Sequence, residues 1–371
     1  MLRILPIILF VLTLIHGLIH FMGWVAYWPL AQIQDLPYKT TLLAGRIDLG
    51  GTGMRAYSLL WLLAGLGFIA AALALAFKQP IWTVLMLVSV LLSMVAGILD
   101  WAASFRGVLF DLVLLLIVAL VFGLRVQPQP FPAYRSPAEP VQTMPLPAGL
   151  PEPVEKFYRR MHGDEIPVYQ SAVISGRGTA RFMGITFPAR LRFTHQVGQG
   201  YRHYIETTLF GLPILKVNEY YLDGHTRLEL PFGVIENDPG VDSAANQGLW
   251  AETAAYPAAY LTNPRVRWEA VDGTSAKLYV PFGEDEQVFN VSFDPDTGLI
   301  SRIETLRYRD EKVGFLRWWG EFSFARDALG EPGQLTMTIT WEDEGSPWLV
   351  VTVENILFNS DVSSYIRQKG P

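Results

Sequence analysis

The chain has 371 residues, half of them apolar, no cysteine and a formal net charge of −6, which suits two domains and excludes disulfides, thiolate metal sites and a cysteine nucleophile. The charge is divided unevenly: the first 125 residues carry seven Lys/Arg against four acids (Asp35, Asp48, Asp100 and Asp111), a net of +3, and the remainder 22 bases against 31 acids, a net of −9. An acidic larger part without a basic run argues against nucleic acid, and against holding anionic lipid headgroups by charge alone.

In chain order, residues 4–29, ILPIILFVLTLIHGLIHFMGWVAYWP, are long enough to cross a hydrocarbon core of about 30 Å at about 1.5 Å per residue. The run is too long for a cleaved signal peptide, and no clear small-x-small site follows it. Further spans over 56–77, 81–99 and 107–124 make four transmembrane helices the expectation, in a membrane module over 1–125. Trp24, Tyr27, Trp28, Tyr57, Trp61, Trp82 and Trp101 fall at or near the span ends, where amphipathic rings prefer the interface. Four spans bring both ends of the module to one side. Arg3, Lys78 and Arg125 lie on that side and Lys39, Arg46, Arg55 and Arg106 on the other, an excess that the positive-inside rule assigns to the cytoplasm, which turns the larger domain outward.

His16 and His20, four apart, project from one face of the first helix. With Asp100 and Asp111 they could bind a metal or relay protons; the plainer reading is that the histidines hydrogen-bond across helices while the carboxylates sit at the interface near Arg106. No other span carries a His to complete an axial haem pair. DLGGTG at 48–53 lacks the Lys-Ser/Thr of a phosphate loop and reads as a flexible connection.

From 126 to 150 proline dominates, with Pro128, Pro130, Pro132, Pro137, Pro140, Pro145 and Pro147 in that stretch. Such a segment reads as a semi-rigid extended spacer. The second domain, 151–371, opens with a short helix, PEPVEKFYRRM, whose acids precede its bases. Strands are then expected at 167–180, 183–196, 200–209, 213–222 and 225–231, and again at 265–270, 275–282, 286–294, 298–308, 313–325, 334–342 and 347–357. LTMTITW at 335–341 alternates cleanly, and turn residues mark LDGH at 222–225 and DPDTG at 294–298. Between the two strand sets, Trp250, Ala254, Pro257 and Leu261 recur at helical spacing, with Leu249, Tyr256 and Tyr260 alongside. The spacing predicts a helix over 248–261 with a kink or break at Pro257. The expected fold is therefore an α-helical membrane module plus an α+β domain, a large curled antiparallel sheet in an open half-barrel covered by a central helix.

The residues also carry a resemblance. YYLDGHTRLEL, WAETAAYPAAYL, VRWEAVDGTSAKL and ITWEDEG resemble a bacterial domain family of unknown function, whose pattern pairs an Ala-Glu-x-x-x-aromatic-Pro-x-x-x-Leu helix with a Trp-Glu-x-x-Asp strand and turn. Ala251, Glu252, Tyr256, Pro257, Leu261, Trp268, Glu269 and Asp272 fall on it, and the likeness covers roughly 151–366. Ala255 departs from the bulkier apolar residue of the family. HGLIHFMGW is similar to the first span of a multi-span module that precedes the domain in some members, whereas WAASFRGVLFD carries Ala103 and Phe105 where those members have an acid and a Lys. The resemblance implies a bacterial inner membrane, and its order of elements is similar to the lipoprotein-carrier half-barrel, whose concave apolar face holds acyl chains.

No catalytic constellation stands out. His162, His195, His203 and His225 are scattered without metal-ligand spacing, and no serine sits in a nucleophile elbow. The reading is a membrane-tethered binding module for a lipid or acyl chain in an envelope role, with Trp250, Tyr256, Pro257, Tyr260 and Trp268 at the pocket mouth, neither metal nor cofactor, and the protein partner left open. Two alternatives stay open beside it: these residues form a sealed core, or the protein is a membrane metal or redox protein centred on His16 and His20.

Overall fold

The computed structural model describes residues 4–34, 36–136, 138–326 and 332–371; Arg3, Asp35 and Pro137 lie outside them. The chain forms two compact units, Met1–Gly123 and Leu124–Pro371.

The first unit has four helices, α1 (Leu5–Tyr27), α2 (Gly50–Ala76), α3 (Trp82–Leu99) and α4 (Trp101–Gly123), with a small hairpin of β1 (Thr41–Leu42) and β2 (Ile47–Asp48) between α1 and α2. All four are long and apolar enough to cross a membrane. Their burial is the reverse of a water-soluble bundle: Ile7, Leu18, Leu63, Val88 and Leu116 are exposed, whereas Thr13, His16, His20, Ser89, Ser93 and Asp111 are buried. That arrangement suits hydrocarbon outside and polar groups that must find partners inside. A Cβ on Gly65 would lie 2.9 Å from the Gly17 carbonyl, so α1 and α2 meet through small residues, as packed membrane helices do. The stretch 48–53, expected as a flexible loop, instead starts α2 at Gly50, whose N–H donates to the Asp48 carboxylate at 3.0 Å. Tyr27 and Tyr57, expected at the interface, are buried because their hydroxyls find acceptors inside the bundle, the Asp100 carboxylate and the Ala96 carbonyl (2.7 Å).

The second unit starts with β3 (Gln142–Pro145), α5 (Glu152–His162) and β4 (Glu165–Val168), with β3 paired to β4. A first meander follows: β5 (Ser171–Phe182), β6 (Ile185–Gln196), β7 (Gly200–Leu209), β8 (Leu212–Leu222), β9 (His225–Leu230) and β10 (Gly233–Glu236). Then come α6 (Pro239–Glu252) and two 3-10 turns, Thr253–Ala255 and Pro257–Leu261. The second meander is β11 (Arg267–Asp272), β12 (Ser275–Phe282), β13 (Asp285–Phe293), β14 (Ile300–Asp310), β15 (Gly314–Arg326), β16 (Pro332–Trp341) and β17 (Leu349–Phe358).

These thirteen strands form one antiparallel sheet in which β5 pairs with β17 at the middle, while β10 and β11 lie at opposite edges. The sheet is therefore open rather than a closed barrel, and the chain has to travel from one edge to the other through α6 and its 3-10 extension. One face of each strand turns inward at period two, as Ala276, Leu278 and Val280 do on β12 and Phe289, Val291 and Phe293 on β13. Trp250, Ala254, Tyr256, Ala258 and Tyr260 pack with them in a single core.

The helix differs in position from the expected 248–261. Asp238 caps it, accepting from the Gly240 and Val241 N–H groups at 2.8 and 3.2 Å, with Pro239 in the first turn. Its first half was illegible as an apolar stripe because its buried residues are polar: Asn246 donates to the Pro281 carbonyl (2.9 Å), Gln247 to the Leu306 carbonyl (2.8 Å), and Asp242 accepts from the Thr226 N–H (2.6 Å). The helix ends at Glu252, and the break falls at Tyr256, with φ −143°, because the following Pro257 disfavours helical angles. The proline-rich stretch, expected as a spacer, is docked on the sheet near its start. The carbonyls of Pro128, Gln129 and Pro132 accept from Arg177 (3.0 Å), Arg190 (2.9 Å) and Arg192, and Phe131 is buried with the Arg190 guanidinium 4.4 Å from its ring. An extended chain leaves its carbonyls free for such a row of arginines.

Candidate functional site

In the helical unit the buried polar groups form one chain. His16 Nε2 lies 2.8 Å from Asp111 Oδ1, the other Asp111 oxygen meets the Ser93 hydroxyl, and Ser93 Oγ is 2.7 Å from His20 Nε2. His20 Nδ1 is 2.8 Å from the His16 carbonyl. The two histidines thus bridge α1 to α3 and α4, as the plainer expectation had it, and three of their four ring nitrogens are engaged. Asp100 is placed differently from the expectation: it accepts from Tyr27 and pairs with Lys39, not with Arg106.

This chain forms one wall of a cavity of about 420 Å³, with Leu12, Ile15, Ile19 and Phe110 among its apolar lining and Trp61 and Ser104 among its polar lining. Ile15 and Ile19 are about half exposed, so the cavity reaches the outer surface of the bundle. The Ser104 hydroxyl is buried and has no hydrogen-bond partner, whereas the Trp61 indole is in contact with the Tyr57 hydroxyl. A volume of this size with apolar walls and a few converging polar groups is the usual make-up of a small-ligand pocket.

The five residues expected at a pocket mouth are brought together, but as interior. Trp250 and Tyr260 stack with centroids 6.4 Å apart, Trp268 meets Tyr260 edge-on at 5.8 Å, and the Tyr260 hydroxyl donates to the Trp250 carbonyl at 2.6 Å. Trp250, Tyr256 and Tyr260 are at most 2 % exposed, Pro257 is buried and Trp268 half-buried. The cavity of this unit that borders Ala251 and Glu252 has a volume of only about 70 Å³, and none of the five lines it. That is room for one or two waters, not for an acyl chain.

Around this small cavity sits a polar cluster that the sequence left scattered. His195 and His203 flank the β6–β7 turn; Phe193 pairs with His203 and His195 with Tyr201, which puts both histidines on one face. Glu219, opposite His203 on β8, and Glu252, the last residue of α6, complete it. His203 Nε2 is 2.7 Å from Glu252 Oε2, His195 Nε2 is 3.1 Å from the same oxygen, and His203 Nδ1 is 3.5 Å from Glu219 Oε2. Tyr201 stacks on the His203 ring at 3.8 Å, with Phe193 4.0 Å from it, and donates its hydroxyl to Glu219 at 2.6 Å. Burial alone would lower the His203 pKa, yet Glu252 and Glu219 outweigh it and raise it to about 9. Burial would likewise raise Glu252, but His203 and His195 hold it down at about 2. For His195 burial prevails and its pKa falls. A parity count across the β6–β7 hairpin could have joined the histidines; Glu252, 49 residues beyond His203, gives no local signal.

Three solved structures are similar to part of the chain. A domain named for outer membrane lipoprotein sorting from Vibrio parahaemolyticus shares 12 % identity at a TM-score of 0.31, covering 58 % of this chain and 94 % of its own. A LolA superfamily protein from Nitrosomonas europaea gives 12 % and 0.32, covering 58 % and 96 %. A DUF1329 family protein from Desulfovibrio piger gives 16 % and 0.31, covering 58 % and 98 %. Likeness at this level says nothing about ligand or activity. No curated protein matches the chain. Residues 140–352 match the Family of unknown function (DUF6544), and with more than half of its length inside that match the chain belongs to this family.

Proposed function

We propose that the protein is a multi-pass membrane protein that binds a hydrophobic ligand, and that the ligand occupies the cavity of the helical unit rather than the interior of the sheet. The observation that carries this is the pairing of apolar walls with a buried unpartnered donor, Ser104 Oγ, in a cavity of about 420 Å³. An unpartnered donor in hydrocarbon favours a ligand with an acceptor, such as the ester or carbonyl of an acyl lipid. The His16–Asp111–Ser93–His20 chain supports this reading over a redox metal centre, since both Nε2 atoms are engaged in hydrogen bonds between helices and His20 Nδ1 in one within α1. The loop charges further support an inner-membrane location with the sheet unit outside the cytoplasm; a cytoplasmically active reporter fused after Pro371 contradicts that orientation.

Lipid extraction of the full chain purified in detergent, followed by mass spectrometry, tests the binding. An acyl lipid is expected in stoichiometric amount, and Gly107→Leu is expected to displace it, because only His16 Cε1 at 4.0 Å lies near a Cβ there. A wild-type chain without bound lipid, or a folded Gly107→Leu chain that keeps the same lipid, refutes the proposal.

A further inference from the structure

The His195–His203–Glu252 cluster lies outside the proposed lipid site and has the composition of a metal site. One donor atom from each residue lies within 4.8 Å of the other two, close enough for a single small ion to replace the direct contacts. His195 is wholly buried; its Nδ1 has no hydrogen-bond partner, and its Nε2 faces Glu252 Oε2 at 3.1 Å. A buried imidazole left so, aimed at a carboxylate that a second imidazole also meets, is placed as a ligand would be.

The surroundings hold the second histidine as metal sites do. Glu219 stands at Nδ1 of His203, on the far side of the ring from Glu252, and is itself fixed by the Tyr201 hydroxyl. A carboxylate behind a ligating histidine sets its tautomer and orientation. Tyr201 and Phe193 clamp the ring faces. The cavity of about 70 Å³ borders His203 and Glu252, enough to admit a water as a further ligand.

We propose that His195, His203 and Glu252 bind a divalent transition-metal ion of zinc-like preference, with Glu219 as the carboxylate that orients His203 and a water from the adjoining cavity in the fourth position. Two imidazoles and a carboxylate with one open position suit zinc or cobalt and are poorly matched to magnesium or calcium, which take oxygen ligands.

The test uses the full chain in detergent, stripped with chelator and titrated with Co²⁺ and then Zn²⁺. One ion per chain is expected, with the visible absorption of four-coordinate cobalt displaced by zinc, and X-ray absorption of the bound ion showing two imidazoles. His195→Gln is expected to abolish stoichiometric binding, Glu219→Gln to weaken it roughly 10- to 100-fold, and the His16→Leu/His20→Leu pair to leave it unchanged. Failure of the wild-type chain to bind overturns the proposal, as does an ion without imidazole ligands or one whose binding His195→Gln leaves intact. An ion lost in the His16→Leu/His20→Leu variant also overturns it, and moves the site to the helical unit. The bound-lipid measurement on the wild-type and Gly107→Leu chains is independent of these outcomes.

Discussion

The Tyr158 hydroxyl, on α5, donates at 2.8 Å to the carbonyl of Pro257, the residue that begins the last 3-10 turn before the sheet resumes. α5 thus ties down the segment where the crossing chain breaks, at the point where a lid would have to hinge. Both partners are buried, and opening the segment would break this bond and leave the buried Tyr158 hydroxyl unsatisfied, at about 1–3 kcal/mol.

Tyr256→Ala is therefore expected to act on stability. The side chain is 2 % exposed, next to His195 and Phe358, and truncating a large buried aromatic costs about 3–5 kcal/mol. Denaturant unfolding of the full chain followed by tryptophan fluorescence measures it. A loss below about 1 kcal/mol together with an altered ligand content would restore the pocket under the helix.

His16→Leu is expected to destabilise the helical unit because it leaves the Asp111 oxygen buried without its partner, at a cost of about 1–3 kcal/mol. The double change His16→Leu/Asp111→Leu should recover part of the loss, with a coupling of about 0.6–2 kcal/mol as interhelical hydrogen bonds show. Thermal unfolding in detergent of the two single variants and the double variant reads the cycle. Additive losses would mean that the 2.8 Å contact contributes nothing to holding α1 against α4.

How far the sequence told this story depends on which contacts are local. Strand alternation and turn residues located most of the large sheet, since Leu335, Met337, Ile339 and Trp341 share a face whatever lies opposite them. β10, four exposed residues, left no pattern to find. The start of α6 carries no apolar signal because its buried residues, Asp242, Asn246 and Gln247, bond strand residues that no local rule connects to them. The spacing over 248–261 gives an apolar aromatic face, but periodicity cannot tell a pocket wall from a filled interior; the two differ in the packing of Trp250, Tyr256 and Tyr260, which here join the core. The His195–His203–Glu252 cluster required both a hairpin register and the landing point of a distant helix end.

Acid sensitivity is expected from Glu344, which pairs with Arg309 at 2.6 Å and with Arg181, joining β14 and β5 through the turn after β16. Burial would raise its pKa, but the two guanidiniums prevail and hold it below the ordinary 4.5. A depressed carboxylate contributes stability that is fully present above its unfolded pKa and is lost as pH falls through the folded one. The contribution is thus complete above about pH 4.5 and declines below it. Glu344→Gln should flatten this part of the curve of unfolding midpoint against pH while lowering its plateau. An unchanged acid limb would show that the pair with Arg181 and Arg309 does not form in solution.

The seam between the two meanders gives the last prediction. Gly178 on β5 pairs with Val351 on β17, and a Cβ at Gly178 would lie 1.9 Å from the Val350 carbonyl oxygen. That oxygen belongs to backbone in the middle of the sheet, so no side-chain rotation can relieve the overlap. Gly178→Ala must push β5 away from β17, the one strand pairing among the described residues that holds the first meander to the second. The neighbouring Ala180, also on β5 and paired with Leu349, already carries a Cβ, so the intolerance belongs to the glycine positions, Gly178 and also Gly176, whose Cβ would lie 2.5 Å from the Thr352 carbonyl oxygen. The loss should reach the upper range for single substitutions, roughly 4 kcal/mol. Hydrogen exchange of the amides on β5 and β17, compared with those on β12 and β13, should show protection falling first at the seam. A Gly178→Ala chain with wild-type unfolding and uniform exchange would mean that the two meanders are held together mainly by the shared core around Trp250 and Tyr260 rather than by the β5–β17 ladder.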